Sequence, residues 1–282
     1  MTTAHLRALF AGLFDDATLY PPASLDLPHA VRAHAGHRLS WYADMLGPFV
    51  CNTVRLAALD TQAARLALEP VDVALVVPDG IGAVAAGVEI VDSCEHLRLR
   101  SVEVPLGADR LTEASRVLGP LAERQVTGYV EIPVVRVSER DVHDMCAAGL
   151  RLKLRTGGTT IDAFQTEDQL AAPIVMCAAE LLPFKCTAGL HNALRHRDRD
   201  TLFDHHGFLN VALAARTAAA TGSLAATSAA LAERDAHTVA VGVRALSVTG
   251  VAAVRELFAS FGTCSITEPV RDLTAMGLVN AP

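Results

Sequence analysis

The chain has 282 residues, of which 51% are hydrophobic and 20% charged, and its formal net charge is −7 at pH 7. This length allows one large domain or two small ones, and it is typical of a single α/β barrel. The negative balance, without a basic cluster, argues against a nucleic-acid partner. The stretch richest in alanine, 208–235, is interrupted by Asn210 and Arg216 and does not resemble a membrane span.

The N-terminal segment and the cysteines both bear on the location of the protein. Residues 1–22 carry a short apolar patch without the small-residue cleavage pattern of a signal peptide. The six cysteines are spread singly, with no CxxC pair, and their spacing supports neither a disulfide framework nor a metal site. We therefore expect reduced thiols, a cytoplasmic protein and no metal ion.

Short apolar runs of β type alternate with segments of helical period along the whole chain. Strands are predicted at 9–14, 48–52, 71–77, 99–107, 128–135, 150–158, 183–190 and 258–265. Strands that alternate with helices predict parallel βαβ units, and eight such units predict a closed (β/α)8 TIM barrel. A doubly wound open sheet is the main alternative, but no glycine-rich dinucleotide fingerprint follows the first strand. We expect one barrel domain over residues 1–282.

The interval 191–256, between the seventh and eighth predicted strands, is longer than one helix with its loops requires. It begins with the histidine-rich stretch "HNALRHRDRDTLFDHHGF" and continues as a long Ala/Leu helix or helix pair. This interval follows the carboxyl end of a strand, where barrel enzymes carry their chemistry. We therefore interpret it as a helical insertion that acts as a lid or a specificity wall.

Polar side chains at the carboxyl ends of the predicted strands are the candidates for chemistry, since these ends share one mouth in a barrel. The clearest pattern is a pair of lysines, Lys153 in "KLRTGG" and Lys185 in "KCTAGL", on neighbouring strands and each followed by Thr and Gly. Arg155 is predicted to share a strand face with Lys153, since residues two apart point to the same side.

A lysine amine is protonated at neutral pH and attacks a carbonyl only after it loses that proton. Burial and a neighbouring cation both favour the neutral amine. Crowding by Arg155 and Lys185 would therefore make Lys153 a nucleophile. The other interpretation is that the lysines hold a substrate anion or pair with Glu103 or Glu131, and both interpretations stay open at this point.

The paired lysine motifs resemble those of the class I, Schiff-base-forming deoxyribose-phosphate aldolases. In that family a Lys-Thr-Ser-Thr-Gly strand is followed some thirty residues later by a Lys-Ala-Ser-Gly-Gly-Ile strand. The resemblance continues in order through the segments "FDDATLYPPAS", "FVCNTVRL", "GYVEIP", "GGTTIDAF" and "FGTCSI". It covers most of 9–190 together with 258–266, and each matching segment is short.

This resemblance implies a carbon–carbon lyase that works without a cofactor. Lys153 takes the position of the imine-forming lysine, Lys185 that of the second lysine, which favours the free amine and relays protons, and Glu131 is a candidate proton-handling acid. The family's aspartate on the fourth strand falls at Ser101, with Glu103 two positions further on.

Two further departures from the family bear on the substrate. Arg155 replaces a small hydroxyl residue, and the phosphate-binding Gly-Gly-Ile-Arg segment is altered to "AGLHNALR". We therefore expect a small carbonyl compound with an anionic group rather than deoxyribose phosphate. The expected substrate-binding residues are Asp15, Asp16, Arg155, Thr187, His191, Arg195, Thr263 and Ser265.

Two other functions are open at this stage. The first is a metal-dependent barrel enzyme whose ligands come from His191, His196, His205, His206 and the acids Asp15, Asp16 or Glu268. The second is a barrel without catalysis, in which both lysines bind an anion.

The oligomeric state is also open. The stretch 29–46, with Trp41 and Tyr42, would form either a contact in a homo-oligomer or part of the barrel's own helix layer.

Overall fold

Eight parallel strands close into a barrel in the computed structural model, which describes residues 4–106 and 111–281. The barrel strands are β1 (Phe14–Asp16), β2 (Leu46–Asn52), β3 (Val71–Val76), β4 (Leu97–Pro105), β5 (Thr127–Glu131), β6 (Arg151–Arg155), β7 (Phe184–Thr187) and β10 (Phe258–Thr263). Each strand pairs with its neighbour in chain order, and β1 pairs with β10 to close the ring. The predicted (β/α)8 barrel is confirmed.

Helices follow nearly every strand and form the outer layer. They are α1 (Ala4–Phe10), α2 (Leu27–Arg38), α3 (Leu56–Arg65), α4 (Val84–Asp92), α5 (Leu111–Leu118), α6 (Glu139–Ala147), α7 (Glu167–Glu180), α8 (Phe208–Thr221), α9 (Leu224–Ala232), α10 (Ala236–Arg244), α11 (Val248–Leu257) and α12 (Thr267–Ala275). Short 3-10 turns lie at Ala43–Met45, Thr53–Arg55, Ile81–Ala83, Gly119–Arg124, Val134–Arg136 and Ile161–Ala163. Ser138 and Thr166 begin α6 and α7 with capping boxes, which pair backbone N–H groups that these helix ends would otherwise leave free.

The predicted first strand at 9–14 is wrong for most of its length. Residues Ala4–Phe10 form α1, and the strand begins only at Phe14. Leu6, Leu9 and Phe10 are buried, and their spacing is that of one helix face. A short apolar run satisfies helix and strand periodicity equally, so packing against the barrel decides which one forms.

The other seven predicted strands lie at the right places; the strand predicted at 48–52 ends correctly at Asn52, and the other six extend too far at their carboxyl ends. Residues 132–135 leave β5 as a loop and a 3-10 turn, and β6 ends at Arg155 before the two glycines. Residue 107, the last of the predicted fourth strand, lies outside the described residues.

Part of the interval 191–256 supplies the helix layer between β7 and β10. Helices α8 and α11 both pack against β10, and the ring of Phe208, the first residue of α8, stacks on Phe261 with centroids 5.0 Å apart. The two short strands β8 (His196–Arg197) and β9 (Asp204–His205) form an antiparallel hairpin outside the barrel. This hairpin packs on the loop between β6 and α7 through Phe203 and His205, which contact Phe164.

Trp41 and Tyr42 are partly buried and pack against the hydrophobic core of the same chain.

No single helix in residues 4–106 and 111–281 combines the length and apolar composition needed to cross a membrane; α10 and α11 meet that test only as a pair bent by 108°.

Candidate active site

Charged side chains fill the carboxyl end of the barrel interior, where most barrel positions are apolar. In the parallel pairing, Lys153 on β6 lies level with Glu131 on β5 and with Lys185 on β7. Asp15 on β1 and Glu103 on β4 reach the same space from further round the ring. Four of these five side chains are almost fully buried, and Glu131 is 18% exposed. We call the five residues the lysine–carboxylate cluster.

The cluster is an alternating chain of acids and amines. Nζ of Lys153 lies 2.9 Å from Oε2 of Glu103 and 2.8 Å from Oε2 of Glu131. Nζ of Lys185 donates to Oε1 of Glu103 and to Oδ2 of Asp15, each at 2.5 Å. One carboxylate, Glu103, therefore joins the two lysines, and each ammonium group has two carboxylate partners.

These contacts replace the cation crowding that the sequence predicted around Lys153. Its amine contacts two carboxylates rather than two cations, because Glu103 on β4 and Glu131 on β5 reach it, the pairing that the second interpretation of the sequence left open. The predicted cause of an uncharged amine, crowding by cations, therefore has no counterpart in the contacts of Nζ of Lys153, and two carboxylates lie in position to accept its proton.

The same contacts set the ionisation of the partners. Burial disfavours the charged form of Lys185, but the charges of Asp15 and Glu103 outweigh it and raise the pKa of this amine. Burial would raise the pKa of Glu103, but the two lysines outweigh it and lower this pKa to about 2. Burial dominates at Asp15 and raises its pKa. Lys185 is thus a fixed ammonium ion at neutral pH, and Glu103 a fixed carboxylate.

Three buried oxygens on β1, on the loop that follows it and at the end of β2 have no hydrogen-bond partner in the described part of the chain. They belong to Asp15 (Oδ1), Tyr20 (hydroxyl) and Asn52 (Oδ1). Burial, Cys51 and the charge of Glu103 together raise the pKa of the Tyr20 phenol, so this hydroxyl keeps its proton and can donate it to a ligand. Buried polar atoms in native proteins are almost always paired, and unpaired ones are typical of ligand or water sites.

Arg155 extends the cluster toward solvent. Its Nε lies 3.0 Å from Oε1 of Glu131, whose other oxygen binds Lys153, and its side chain is half-exposed. The two residues line a cavity of about 430 Å³ beside the carboxyl ends of β5 and β6. Its walls are largely apolar, with Leu106 and Ile132 among the lining residues.

The other predicted binding residues are distributed around the mouth. Asp16 points away from the cluster, because adjacent strand residues face opposite sides, and it accepts from Thr18 and contacts His34 at 2.9 Å. The structure thus separates Asp16 from the predicted site. Thr187 ends β7, where its carbonyl accepts the backbone N–H of Thr156 at 2.8 Å.

Arg195 and Ser265 have local structural partners. Arg195 is buried in an ion pair with Glu167 at 2.7 Å and contacts His206 at 3.0 Å, so it fixes the loop before β8 to the start of α7. The hydroxyl of Ser265 accepts the backbone N–H of Glu268 in the first turn of α12.

His191 and Thr263 meet at the carboxyl ends of β7 and β10, where Nδ1 of His191 lies 3.4 Å from the Thr263 hydroxyl.

The histidines of the metal-dependent alternative do not converge. His206 contacts Arg195 and the carbonyl of Gln165, and His196 stacks near His205 with centroids 5.2 Å apart. Within residues 4–106 and 111–281, no three His, Cys, Asp or Glu side chains are arranged to hold a metal ion. That alternative therefore lacks a ligand set among the residues that the structure describes.

Sequence reasoning placed Glu103 on its strand but left it out of the site. The available signal was a single acid in the apolar run "SVEVP", the pattern expected of a charged side chain that faces a barrel interior. Two further neighbours gave no signal: the Ser260 hydroxyl donates to Asp15 at 2.8 Å, and Nζ of Lys185 lies 5.2 Å from the centre of the Tyr129 ring.

No protein-family model matches the chain, and no curated protein sequence matches it. Among solved structures, the deoxyribose phosphate aldolase from Aeropyrum pernix, reported as a unique tetrameric structure, is similar over 98% of this chain and 100% of that chain. The TM-score is 0.50 and the sequence identity is 13%. At this identity the likeness concerns the fold: the chain has a barrel distantly like that of the aldolase.

Proposed function

We propose that the protein is an aldolase-like lyase in which Lys153 forms a Schiff base with a small carbonyl substrate. The observation that carries this proposal is the position of the Lys153 amine, held between Glu103 and Glu131 at 2.9 and 2.8 Å at the carboxyl end of the barrel. An amine with a carboxylate on either side has a proton acceptor within hydrogen-bond distance at every step of imine chemistry.

Glu131 is the proposed acceptor of the Lys153 proton. Glu103 is shared with Lys185 and is 2% exposed, whereas Glu131 is 18% exposed and borders the cavity. When a substrate displaces water there, a proton passes from Nζ of Lys153 to Oε2 of Glu131, which leaves a neutral amine and a neutral acid. The amine then adds to the carbonyl carbon, and loss of water, with the proton supplied by Glu131, gives the protonated imine.

The protonated imine accepts electrons from the adjacent carbon–carbon bond. As that bond breaks, the proton of the β-hydroxyl group passes to Glu131, a free aldehyde leaves, and the lysine carries an enamine. Protonation of the enamine carbon and hydrolysis return the amine and release the second product. Lys185 takes no proton from the substrate in this scheme; it keeps Glu103 charged and fixed in place.

The substrate class follows from Arg155. Its guanidinium is half-exposed in the 430 Å³ cavity, and Glu131, which it contacts, is already neutralised by Lys153. An arginine in this position is suited to a carboxylate or phosphate on the substrate. We therefore propose a small carbonyl compound that carries an anionic group, placed so that its carbonyl lies over Lys153.

The charge balance weighs against a barrel that only binds anions. Lys153 and Lys185 share three carboxylates, Asp15, Glu103 and Glu131, so neither amine presents uncompensated positive charge. An anion that bound to these lysines would have to displace a carboxylate that is already paired with them.

Reductive trapping tests the proposal. The full chain is incubated with pyruvate and sodium borohydride, and the modified lysine is located by peptide mass spectrometry. We expect a secondary amine on Lys153, and Lys153→Arg should abolish it while Lys185→Arg, which keeps the charge beside Glu103, should still give the adduct at position 153. Labelling at Lys185 would reverse the two roles. Absence of an adduct with pyruvate and also with hydroxyacetone and glyceraldehyde would reject imine chemistry.

The hairpin β8–β9 is proposed as a wall of the substrate site. It packs on the β6–α7 loop, where Phe164 lies 4.5 Å from the His205 ring and 5.2 Å from the Phe203 ring, measured between centroids. A homo-oligomer is likewise a proposal, supported by the tetramer of the Aeropyrum enzyme and tested by light scattering.

A further inference from the structure

A second group of reactive side chains lies at the carboxyl ends of β7 and β10. The sulfur of Cys264, directly after β10, lies 3.5 Å from Nδ1 of His191, which follows β7. Oε2 of Glu268, in the first turn of α12, lies 3.6 Å from the same nitrogen. We call Cys264, His191 and Glu268 the thiol cluster. None of its members takes part in the lysine chemistry proposed above.

The contacts of His191 favour its protonated form. Burial alone would disfavour the imidazolium, but the contacts with Cys264 and Glu268 outweigh it and raise the pKa of His191 to about 9. A thiol beside an imidazolium ion loses its proton more readily than a free thiol. The start of α12, at Thr267, adds the partial positive charge of a helix N-terminus.

Other titratable and charged groups also face the thiol cluster. Glu268 repels a thiolate, but it is itself paired with His191, and Arg271 lowers the pKa of this acid further. Burial is the main cause that lowers the pKa of His205, and the charge of the nearby His191 lowers it further. His205 is therefore neutral at pH 7. At neutral pH the imidazolium ion of His191 therefore lies between the carboxylate of Glu268 and the sulfur of Cys264.

The remaining cysteines have different surroundings. Cys177 and Cys186 are buried among apolar groups, and burial raises the pKa of both thiols. Burial also raises the pKa of Cys51, to about 12. Cys146 is exposed, and its thiol contacts the backbone carbonyl of Glu180 at 3.2 Å. Among the described residues, Cys264 is the cysteine whose sulfur contacts an imidazole.

We propose that Cys264 is a nucleophilic thiol that adds reversibly to the carbonyl carbon of small aldehydes. The thiolate sulfur forms the new C–S bond, the π electrons of the C=O bond move to oxygen, and Nδ1 of His191 gives that oxygen its proton. The products are a neutral hemithioacetal and a neutral imidazole, so the step needs no oxidant or further reactant. Its reversal returns the aldehyde. This inference goes beyond the proposed lyase, since it does not require Lys153.

The first test compares two thiols in the same molecule. Native full-length protein is treated with iodoacetamide between pH 6 and 9, and alkylation of Cys264 and Cys146 is followed by peptide mass spectrometry. An ordinary thiol loses about tenfold in rate per pH unit below its pKa of about 8.5. We expect that fall for Cys146 and a nearly constant rate for Cys264 down to pH 6.5. Parallel pH profiles for the two thiols would overturn the proposal.

The second test removes the imidazole. His191→Asn should lower the alkylation rate of Cys264 at pH 6.5 by about tenfold, because the imidazolium ion that stabilises the thiolate is removed, and leave that of Cys146 unchanged. An unchanged rate at Cys264 would reject the role of His191. Should this variant fail to fold, the wild-type pH profile decides alone.

The third test identifies the ligand. Acetaldehyde should slow alkylation of Cys264 but not of Cys146, and removal of the aldehyde by gel filtration should restore the rate. The measurement is repeated with Lys153→Arg, which forms no imine but keeps a cation between the two carboxylates. Protection of Cys264 that persists in Lys153→Arg supports the proposal that this thiol binds the aldehyde. Absence of protection in the wild type, or its loss in Lys153→Arg, overturns the proposal. A failure of borohydride trapping at Lys153 would leave this outcome intact.

Discussion

Glu103 faces Lys153 inside the barrel, with Oε2 of the acid 2.9 Å from Nζ of the lysine, while the other oxygen of the same carboxylate binds Lys185. A single acid therefore fixes both amines, and the three buried charges of Glu103, Lys153 and Lys185 depend on one another. Buried charges are costly unless each is paired, so the loss of this one carboxylate affects two ammonium groups at once.

The variant Glu103→Gln should lower the free energy of unfolding by about 3–5 kcal/mol, the cost of leaving buried ions without their partner. Urea denaturation at pH 7 measures this loss. The matched control is Asp72→Asn, which removes the partner of the exposed arginines Arg98 and Arg100 and should cost about 0–1 kcal/mol. Equal losses in the two variants would contradict the central place of Glu103.

Acid should weaken the contribution of Glu103 over a defined range. Its two lysine partners lower the pKa of Glu103 from its ordinary value of 4.5 to about 2 in the folded protein, so its contribution to stability is fully present above pH 4.5 and disappears as pH falls toward 2. The stability difference between wild type and Glu103→Gln should shrink by about 1.4 kcal/mol per pH unit below pH 4.5. Urea unfolding at pH 5, 4 and 3 measures this difference. The pKa of Asp15 is raised, so its contribution to stability changes with pH in the opposite direction, in the wild type and in Glu103→Gln alike. A constant difference would show that Glu103 titrates normally.

Gly47 on β2 makes room for Asp15. A Cβ atom at this position would overlap Oδ1 of Asp15, which therefore has to turn away from Lys185. We expect Gly47→Ala to cost about 1–3 kcal/mol of stability, the usual range for overpacking, and to slow reductive trapping at Lys153. The control is Gly82→Ala, since a Cβ atom at Gly82 meets no atom within 4 Å. Thermal unfolding and the trapping rate are measured for both variants. If Gly47→Ala changes neither, the Asp15 carboxylate can move aside without losing its contact with Lys185.

Arg155 should discriminate between charged and neutral substrates. A charge-assisted hydrogen bond is worth about 1.5–3 kcal/mol, so Arg155→Gln should slow trapping with pyruvate at low concentration by roughly 10- to 100-fold. Trapping with hydroxyacetone, which lacks the carboxylate, should change little. Arg98→Gln, at the amino end of β4, provides a control for the loss of one positive charge. Equal effects on pyruvate and hydroxyacetone would show that Arg155 holds Glu131 in place rather than binding the substrate.

The barrel could be predicted from the sequence, because apolar strands alternate with amphipathic segments as in parallel βαβ units and there are eight such units. The sequence also indicated where the paired lysines lie. It placed Lys153 and Lys185 on neighbouring strands, and the register sets them level with each other. These properties depend on periodicity and spacing, which are local. The same local rules failed at residues 9–14, where helix and strand patterns coincide and packing decided the outcome.

Which charges meet depends on the closure of the barrel. Glu103 on β4 reaches Lys153 on β6 across an intervening strand, and Asp15 on β1 reaches Lys185 on β7 past β10. Closure of the ring brings these side chains to a common axis, and no sequence spacing encodes that distance. The lysines therefore looked like a crowded pair of cations in the sequence, whereas the folded barrel neutralises them with acids from strands far apart in the chain.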